Sequence, residues 1–114
     1  MRSDADWLSD IIEAVDNAKR YAQQGRAAFD SDELVRAWMV QQIQIIGEAA
    51  SRLSSDLLAA HSQVPWREII DMRNLLVHGY FHLDPDIVWR VVEADLPELE
   101  RQAREILDGL PPST

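Results

Sequence analysis

Apolar residues recur at intervals of three and four along almost the whole chain, and no segment shows the alternation expected of a strand. This spacing places apolar side chains on one face of a helix, which must then pack against another helix. The first helix is predicted from about Ser3 to Gln24, with Gly25 as its stop. Its apolar face consists of Trp7, Ile11, Ala14, Val15, Ala18 and Tyr21. An all-α fold is therefore predicted.

The second predicted helix is apolar on two sides. Asp30 or Ser31 is expected to cap it, and Glu33 stands three residues after Asp30, as in a capping box. One stripe contains Leu34, Trp38, Ile45 and Ala49, and the other contains Val35, Met39, Ile46, Ala50, Leu53 and Leu57. Such a helix needs two partners. We expect the second partner to be another copy of the chain, packed near the small residues at positions 47, 49 and 50. The alternative is the central helix of a monomeric bundle.

The third helix is predicted to be shorter. Residues 61–65 form a break, and Pro65-Trp66 starts a helix that runs through about Val77. Gly79 lies where this helix would end.

The last helix begins with a strong signal. Asp84-Pro85-Asp86 offers a capping carboxylate, a proline at the first helical position and an acid at the positive end of the helix dipole. Pro97 is expected to kink or divide this helix, and Asp108-Gly109 to end it. The residues expected to face the core are Ile87, Val88, Val91, Val92, Leu96 and Leu99. The four helices predict an antiparallel four-helix bundle, one domain over residues 1–114 with a flexible tail at about 110–114.

Composition narrows the setting of this 114-residue chain. It has no cysteine, which excludes disulfides and thiolate metal sites. No apolar run approaches the roughly 20 residues that span a bilayer, and the acidic start resembles no signal peptide, so a cytoplasmic protein is expected. The formal charge of −9 argues against indiscriminate binding of nucleic acid.

The stretch from Arg73 to Tyr80 combines a guanidinium, an imidazole and a phenol. Arginine grips phosphate oxygens through paired donors, and histidine moves protons near neutral pH. On an ideal helix Arg73 and His78 would lie about 140° and 7.5 Å apart. They would meet at one phosphate only if the chain unwinds near Gly79 or if a second protomer completes the site. The pattern predicts a site that cleaves a phosphodiester without a metal.

Taken singly, each of these residues has an ordinary explanation. Arg73 could form a surface ion pair with the nearby Asp71, and His78 could cap a helix end. Tyr80, followed by Phe81, could belong to the core.

The motif Arg-x4-His-x-Tyr, present here as Arg73, His78 and Tyr80, resembles that of HepT-like toxins in the HEPN ribonuclease superfamily. Asn74 matches the polar residue that commonly follows the arginine. Further similarities extend over nearly the full length, namely Ile46-Gly47-Glu48-Ala49, Pro65-Trp66 and Met72-Arg73-Asn74.

The resemblance implies a homodimeric, metal-independent endoribonuclease that needs no cofactor. The RNA 2′-hydroxyl would attack the adjacent phosphate and leave a cyclic phosphate and a 5′-hydroxyl. His78 would act as general base or acid, Arg73 would hold the phosphate, and Asn74 would orient the phosphate or His78. The resemblance also implies a partner, the minimal nucleotidyltransferase antitoxin MntA, which would transfer AMP from ATP to Tyr80. The added anion would block RNA entry and compete for Arg73.

Two other functions fit the sequence. His78 and His82 share a helical spacing, and with Asp84 and Asp86 they could hold zinc, although Gly79 and the proline after Asp84 suggest that the helix has already ended. Alternatively, the chain could be a non-catalytic helical partner of a nucleotidyltransferase.

Overall fold

A computed structural model describes residues 2–73 and 84–111, which form helices and turns and contain no strand. The α-helices are α1 Asp4–Ala22, α2 Arg26–Ser31, α3 Glu33–Ser51, α4 Ser55–Ala60, α5 Trp66–Asp71, α6 Pro85–Arg90 and α7 Leu96–Gly109, with a π-helical segment at Val91–Asp95 between the last two. The predicted all-α class is confirmed. None of these helices is both long and apolar enough to cross a membrane.

Helix α1 begins and ends close to its predicted bounds. The Ser3 hydroxyl accepts a hydrogen bond from the Asp6 amide, and the Asp6 carboxylate accepts one from the Ser3 amide, which completes a capping box. Gly25 adopts φ +92°, a conformation that L side chains rarely adopt, and the chain turns there into α2.

The predicted cap of the second helix is wrong. Residues 26–31 form their own short helix, so neither Asp30 nor Ser31 begins α3. Asp32 does so, because its backbone is extended and its carboxylate accepts the Leu34 amide at 2.9 Å. Glu33 is therefore the first residue of α3 rather than the partner in a capping box.

Helix α3 is also shorter than the apolar stripe predicted. It ends at Ser51, and Leu57 lies on the separate helix α4. The Ser54 hydroxyl caps α4 by accepting from the Leu57 amide, while the Ser54 amide and hydroxyl both donate to the Asp4 carboxylate, at 2.8 and 2.6 Å. This interaction joins the start of α1 to the end of α3.

Helix α1 runs antiparallel to both α3 and α7. Asp4 lies beside Ser54, whereas Tyr21, near the other end of α1, packs edge-on against Trp38 with ring centroids 5.8 Å apart. Midway, the Asn17 amide donates to the buried Gln42 side chain. The fully buried large side chains of this core are Phe29, Leu8, Ile11, Met39, Ile46, Leu96, Val15 and Val92.

Charged side chains join α1 to α7. Lys19 pairs with Glu100 at 2.9 Å, and Arg104 bridges Glu100 and Asp16 at 2.9 and 3.3 Å. Burial and the neighbouring Glu100 carboxylate raise the pKa of Asp16. Burial also acts to raise the pKa of Glu100, but hydrogen bonds from Lys19 and Arg104 outweigh it and the pKa lies below its usual value.

The last helix starts as predicted and is divided near Pro97. Asp84 caps α6 by accepting from the Asp86 amide, and Pro85 is its first residue. The π-helical turn at Val91–Asp95 immediately precedes Pro97, which has no amide hydrogen to donate and whose ring would clash with a regular preceding turn. One core prediction is wrong, because Ile87 is 45% exposed.

Candidate active site

Arg73 lies directly after α5, in a 3₁₀ turn with Met72. The other residues of the predicted site, Asn74, His78 and Tyr80, lie outside the described residues. The predicted continuation of the third helix through Val77 falls on the same stretch. Of the predicted site residues, the structure therefore describes Arg73 and the side chains around it.

A close crossing of α3 and the end of α5 fixes the backbone of Arg73. A Cβ atom added at Gly47 would lie 2.9 Å from the Arg73 amide nitrogen, 3.0 Å from the Arg73 Cβ and 3.0 Å from the Ile69 carbonyl oxygen. These distances are shorter than ordinary contacts, so only glycine allows this approach without displacing a neighbour. Position 47 is one of the small residues near which a second copy is expected to pack, and the turn after α5 covers Gly47 itself within the same chain.

The side chain of Arg73 is held by the residue that follows Gly47. Arg73 Nη1 donates to Glu48 Oε2 at 3.1 Å, and the two side chains are 37% and 47% exposed. Among the described residues, the ion-pair partner of Arg73 is therefore Glu48 rather than Asp71. The other carboxylate oxygen, Glu48 Oε1, accepts from Arg52 Nε at 3.1 Å.

Arg73 and Glu48 line a groove of about 620 Å³ between α1 and α3. The remaining lining residues are Trp7, Asp10, Gln41, Gln44, Ile45 and Ala49. Arg2 contacts two of these residues on α1, because its guanidinium lies 4.2 Å from the centre of the Trp7 ring and 2.6 Å from the Asp10 carboxylate. The groove thus combines amides, carboxylates and aromatic surface with the guanidinium of Arg73 in its wall and that of Arg2 near its α1 side.

This geometry suits the binding of a phosphate at Arg73. A guanidinium carries five N–H donors in a planar fork, and Glu48 accepts only one bond from it. An anion approaching along the groove would find donors on a side chain whose backbone packs closely against Gly47. Fixed donors of this kind stabilise charge that develops during phosphodiester cleavage.

The first predicted stripe of α3 is only partly covered, and it borders the groove at Ile45 and Ala49 but not at Leu34. Leu34 is 80% exposed and Ile45 is 38% exposed, although both belong to the first predicted stripe of this helix. Ala49, from the same stripe, is buried, and the second stripe is buried at all six positions. The two-sided pattern therefore corresponds to one covered face and one face that is partly open beside Arg73.

Sequence reasoning missed Glu48 as a functional candidate. It recognised Gly47-Glu48 only as a family landmark, because a glutamate on a helix is ordinarily solvated. Its significance depends on the crossing at Gly47, which brings residue 73 beside residue 48 across 25 positions of sequence. Nothing in the local pattern encodes that distance.

The carboxylates considered for a zinc site have other partners in the described residues. Asp84 caps α6, and Asp86 pairs with Arg26 at 2.5 Å. The two histidines of that hypothesis, His78 and His82, lie outside the described residues.

Comparison with known proteins identifies related sequences. The family described as ribonuclease HepT-like matches residues 11–106. A protein of Thermococcus cleftensis named as a probable ribonuclease HepT is 32% identical over 102 residues, which cover 87% of this chain and 91% of that protein. A protein of Caldanaerobacter subterraneus subsp. tengcongensis named as a candidate RNase is 40% identical over 79 residues, covering 69% of this chain and 70% of the relative. A candidate RNase of Methanocaldococcus jannaschii is 28% identical over 97 residues, covering 84% and 89%. No solved structure matches the chain significantly.

Proposed function

We propose that this chain is the toxin of a toxin–antitoxin pair and a metal-independent endoribonuclease, because it belongs to the ribonuclease HepT-like family. Membership confirms the family expected from the sequence, and it supports the expected class of enzyme, a nuclease that acts on RNA. The observation that carries the mechanism is the half-exposed guanidinium of Arg73, fixed at the wall of a groove.

Arg73 binds the scissile phosphate in the proposed reaction. Its fork of donors matches two phosphate oxygens, and its permanent charge offsets the negative charge that builds up as the 2′-hydroxyl attacks phosphorus. The bond from phosphorus to the 5′-oxygen then breaks, which leaves a cyclic phosphate and a 5′-hydroxyl. This reaction needs no metal, because the guanidinium supplies the positive charge and a histidine supplies the proton transfers.

His78 carries those proton transfers in the proposal. One imidazole takes the proton of the attacking 2′-hydroxyl, or gives a proton to the departing 5′-oxygen. Asn74 orients the phosphate or the imidazole. Both assignments rest on the match to the family motif.

The active form is proposed to be a homodimer that uses the open face of α3. Ile45 lines the groove that Arg73 also lines, and Leu34 lies on the same helix near Tyr21 and Trp38; both are exposed, and a second copy would cover them. A two-fold axis there would bring the two arginine sites toward one another. An RNA strand would then meet groups from both protomers.

Neutralisation is proposed to occur at Tyr80. A minimal nucleotidyltransferase antitoxin of the MntA type would move AMP from ATP to the phenol oxygen. The bound AMP would place a phosphate beside the catalytic pair, where it competes with RNA for Arg73. Toxin and antitoxin would act in the cytoplasm, where both RNA and ATP are present.

Growth of cells that express the chain tests the biological role. The native chain should arrest growth, His78→Ala should not, and co-expression of a cognate minimal nucleotidyltransferase should restore growth. Mass spectrometry of the neutralised toxin should then find AMP on Tyr80, and Tyr80→Phe should stay toxic in the presence of the partner. Arrest by His78→Ala would contradict the catalytic role, and relief without modified Tyr80 would indicate inhibition by occlusion.

A further inference from the structure

The carboxylate of Glu48 joins two guanidinium groups from different parts of the fold. Its Oε2 accepts from Arg73 at 3.1 Å and its Oε1 accepts from Arg52 at 3.1 Å. Glu48 also follows Gly47, where the backbone of α3 touches that of Arg73. Helix α3 therefore fixes the backbone of Arg73 through one residue and its side chain through the next.

Among residues 2–73 and 84–111, the pairing with Glu48 leaves most of the Arg73 donors for an anion. Glu48 engages Nη1 with a single hydrogen bond, and the guanidinium has four further N–H groups in the same plane. A phosphate can bind two of these donors while Glu48 keeps its own. The carboxylate also favours one orientation of the guanidinium, which would reduce the conformational entropy lost when RNA binds.

We propose that Glu48 is a positioning residue for RNA cleavage, which holds the guanidinium of Arg73 at the angle that the scissile phosphate requires. This inference rests on the proposed function, because it assigns Glu48 a role through Arg73. It has two opposite consequences. The carboxylate improves the geometry of the transition state, and its negative charge opposes the binding of RNA.

These consequences predict a separation of kcat from KM. Glu48→Ala removes both the hydrogen bond and the charge, so kcat should fall by about tenfold because a misplaced group loses reactivity steeply. KM for RNA should stay unchanged or fall, since one negative charge has left the groove. Glu48→Gln keeps an oxygen that can accept from Nη1, and its kcat should lie between those of Glu48→Ala and the native chain.

A double-mutant cycle of Glu48 and Arg73 shows whether Glu48 acts through Arg73. In an Arg73→Lys background the planar fork is absent, so Glu48→Ala should change kcat by less than about twofold. Arg52→Gln is the matched control, because it removes the other partner of the same carboxylate and should leave kcat within about twofold of the native value. Equal losses from Glu48→Ala in both backgrounds would overturn the proposal.

A measurement without RNA keeps this inference separate from the proposed function. Nitrogen NMR of arginine side chains should show a distinct Arg73 Nε signal with slowed rotation in the native chain. In Glu48→Ala that signal should move to the position of a free arginine, while thermal unfolding shows the protein still folded. An unchanged signal would refute the positioning role even if the chain cleaves RNA. A lost signal in a protein without nuclease activity would instead refute only the proposed function.

Discussion

Gly47→Ala should damage the site through a single methyl group. The new Cβ would lie 2.9 Å from the Arg73 amide nitrogen, so this contact must lengthen by about 0.5 Å to reach the 3.4 Å at which ordinary contacts begin. The facing atoms include two backbone atoms, which cannot rotate away as the end of a side chain can. Helix α3 and the turn that carries Arg73 must therefore separate.

The cost can be worked from two opposing terms. Overpacking of this kind costs about 1–3 kcal/mol. Replacement of glycine by alanine within a helix returns about 1 kcal/mol. The free energy of unfolding should thus fall by about 0–2 kcal/mol, while kcat for RNA cleavage falls by about tenfold because Arg73 moves. A tenfold loss of kcat corresponds to about 1.4 kcal/mol, so the two effects should be of similar size.

Urea unfolding and RNA cleavage at matched protein concentration measure the two effects. Gly109→Ala is the control, because nothing lies within 4 Å of its new Cβ, and it should be at least as stable and as active as the native chain. The reasoning would be refuted if Gly47→Ala matched Gly109→Ala in both stability and kcat.

Three further substitutions test other parts of the structure. Gly25→Ala should lower the free energy of unfolding by about 1 kcal/mol, because φ is +92° there, and an unchanged urea midpoint would contradict this. Asp16→Asn should raise the free energy of unfolding at pH 7 by less than about 1 kcal/mol. Folding raises the pKa of Asp16 above 3.8, so the ionised carboxylate lowers the stability of the native chain only above that pH. The stability gained by Asp16→Asn should therefore vanish near pH 2.5. A gain that persists in acid would contradict the raised pKa. Leu34→Lys should weaken the self-association measured by sedimentation. The control Ile87→Lys, at a residue 45% exposed on α6, should not weaken it. Equal effects of the two substitutions would contradict an interface on α3.

Local signals in the sequence predicted the elements whose ends carry their own caps. Ser3, Gly25 and Asp84 each mark a helix boundary with a side chain or a backbone conformation that is legible without tertiary information. The predicted stripe of Val35, Met39 and their neighbours is buried for the same reason, because helical periodicity is a local property.

The errors arose where two local signals competed. Asp30, Ser31 and Asp32 can all cap a helix, and Asp32 does so only because Asp30 and Ser31 belong to the short helix α2. Leu57 continues the apolar stripe of α3 in sequence, yet the Ser54 hydroxyl caps a new helix before it, and Ser54 also donates to Asp4 of α1. Tertiary contacts determined which of these equivalent local signals begins or ends a helix.

The candidate site was likewise only partly predictable from the sequence. Arg73 was identified from a spacing that the sequence displays, whereas its partner Glu48 depends on a crossing of two helices. The closeness of that crossing is visible at Gly47 only in the structure, where the backbone of Arg73 lies against it. A residue that positions another across 25 positions of sequence leaves no periodic signal.

Cleavage of RNA by the purified chain in excess EDTA is the most direct test of the proposed activity. The native protein should produce fragments with a cyclic phosphate at one end and a 5′-hydroxyl at the other, while folded Arg73→Ala and His78→Ala should produce none above background. The absence of cleavage, cleavage that EDTA abolishes, or cleavage that survives both substitutions would contradict a metal-independent reaction at these residues.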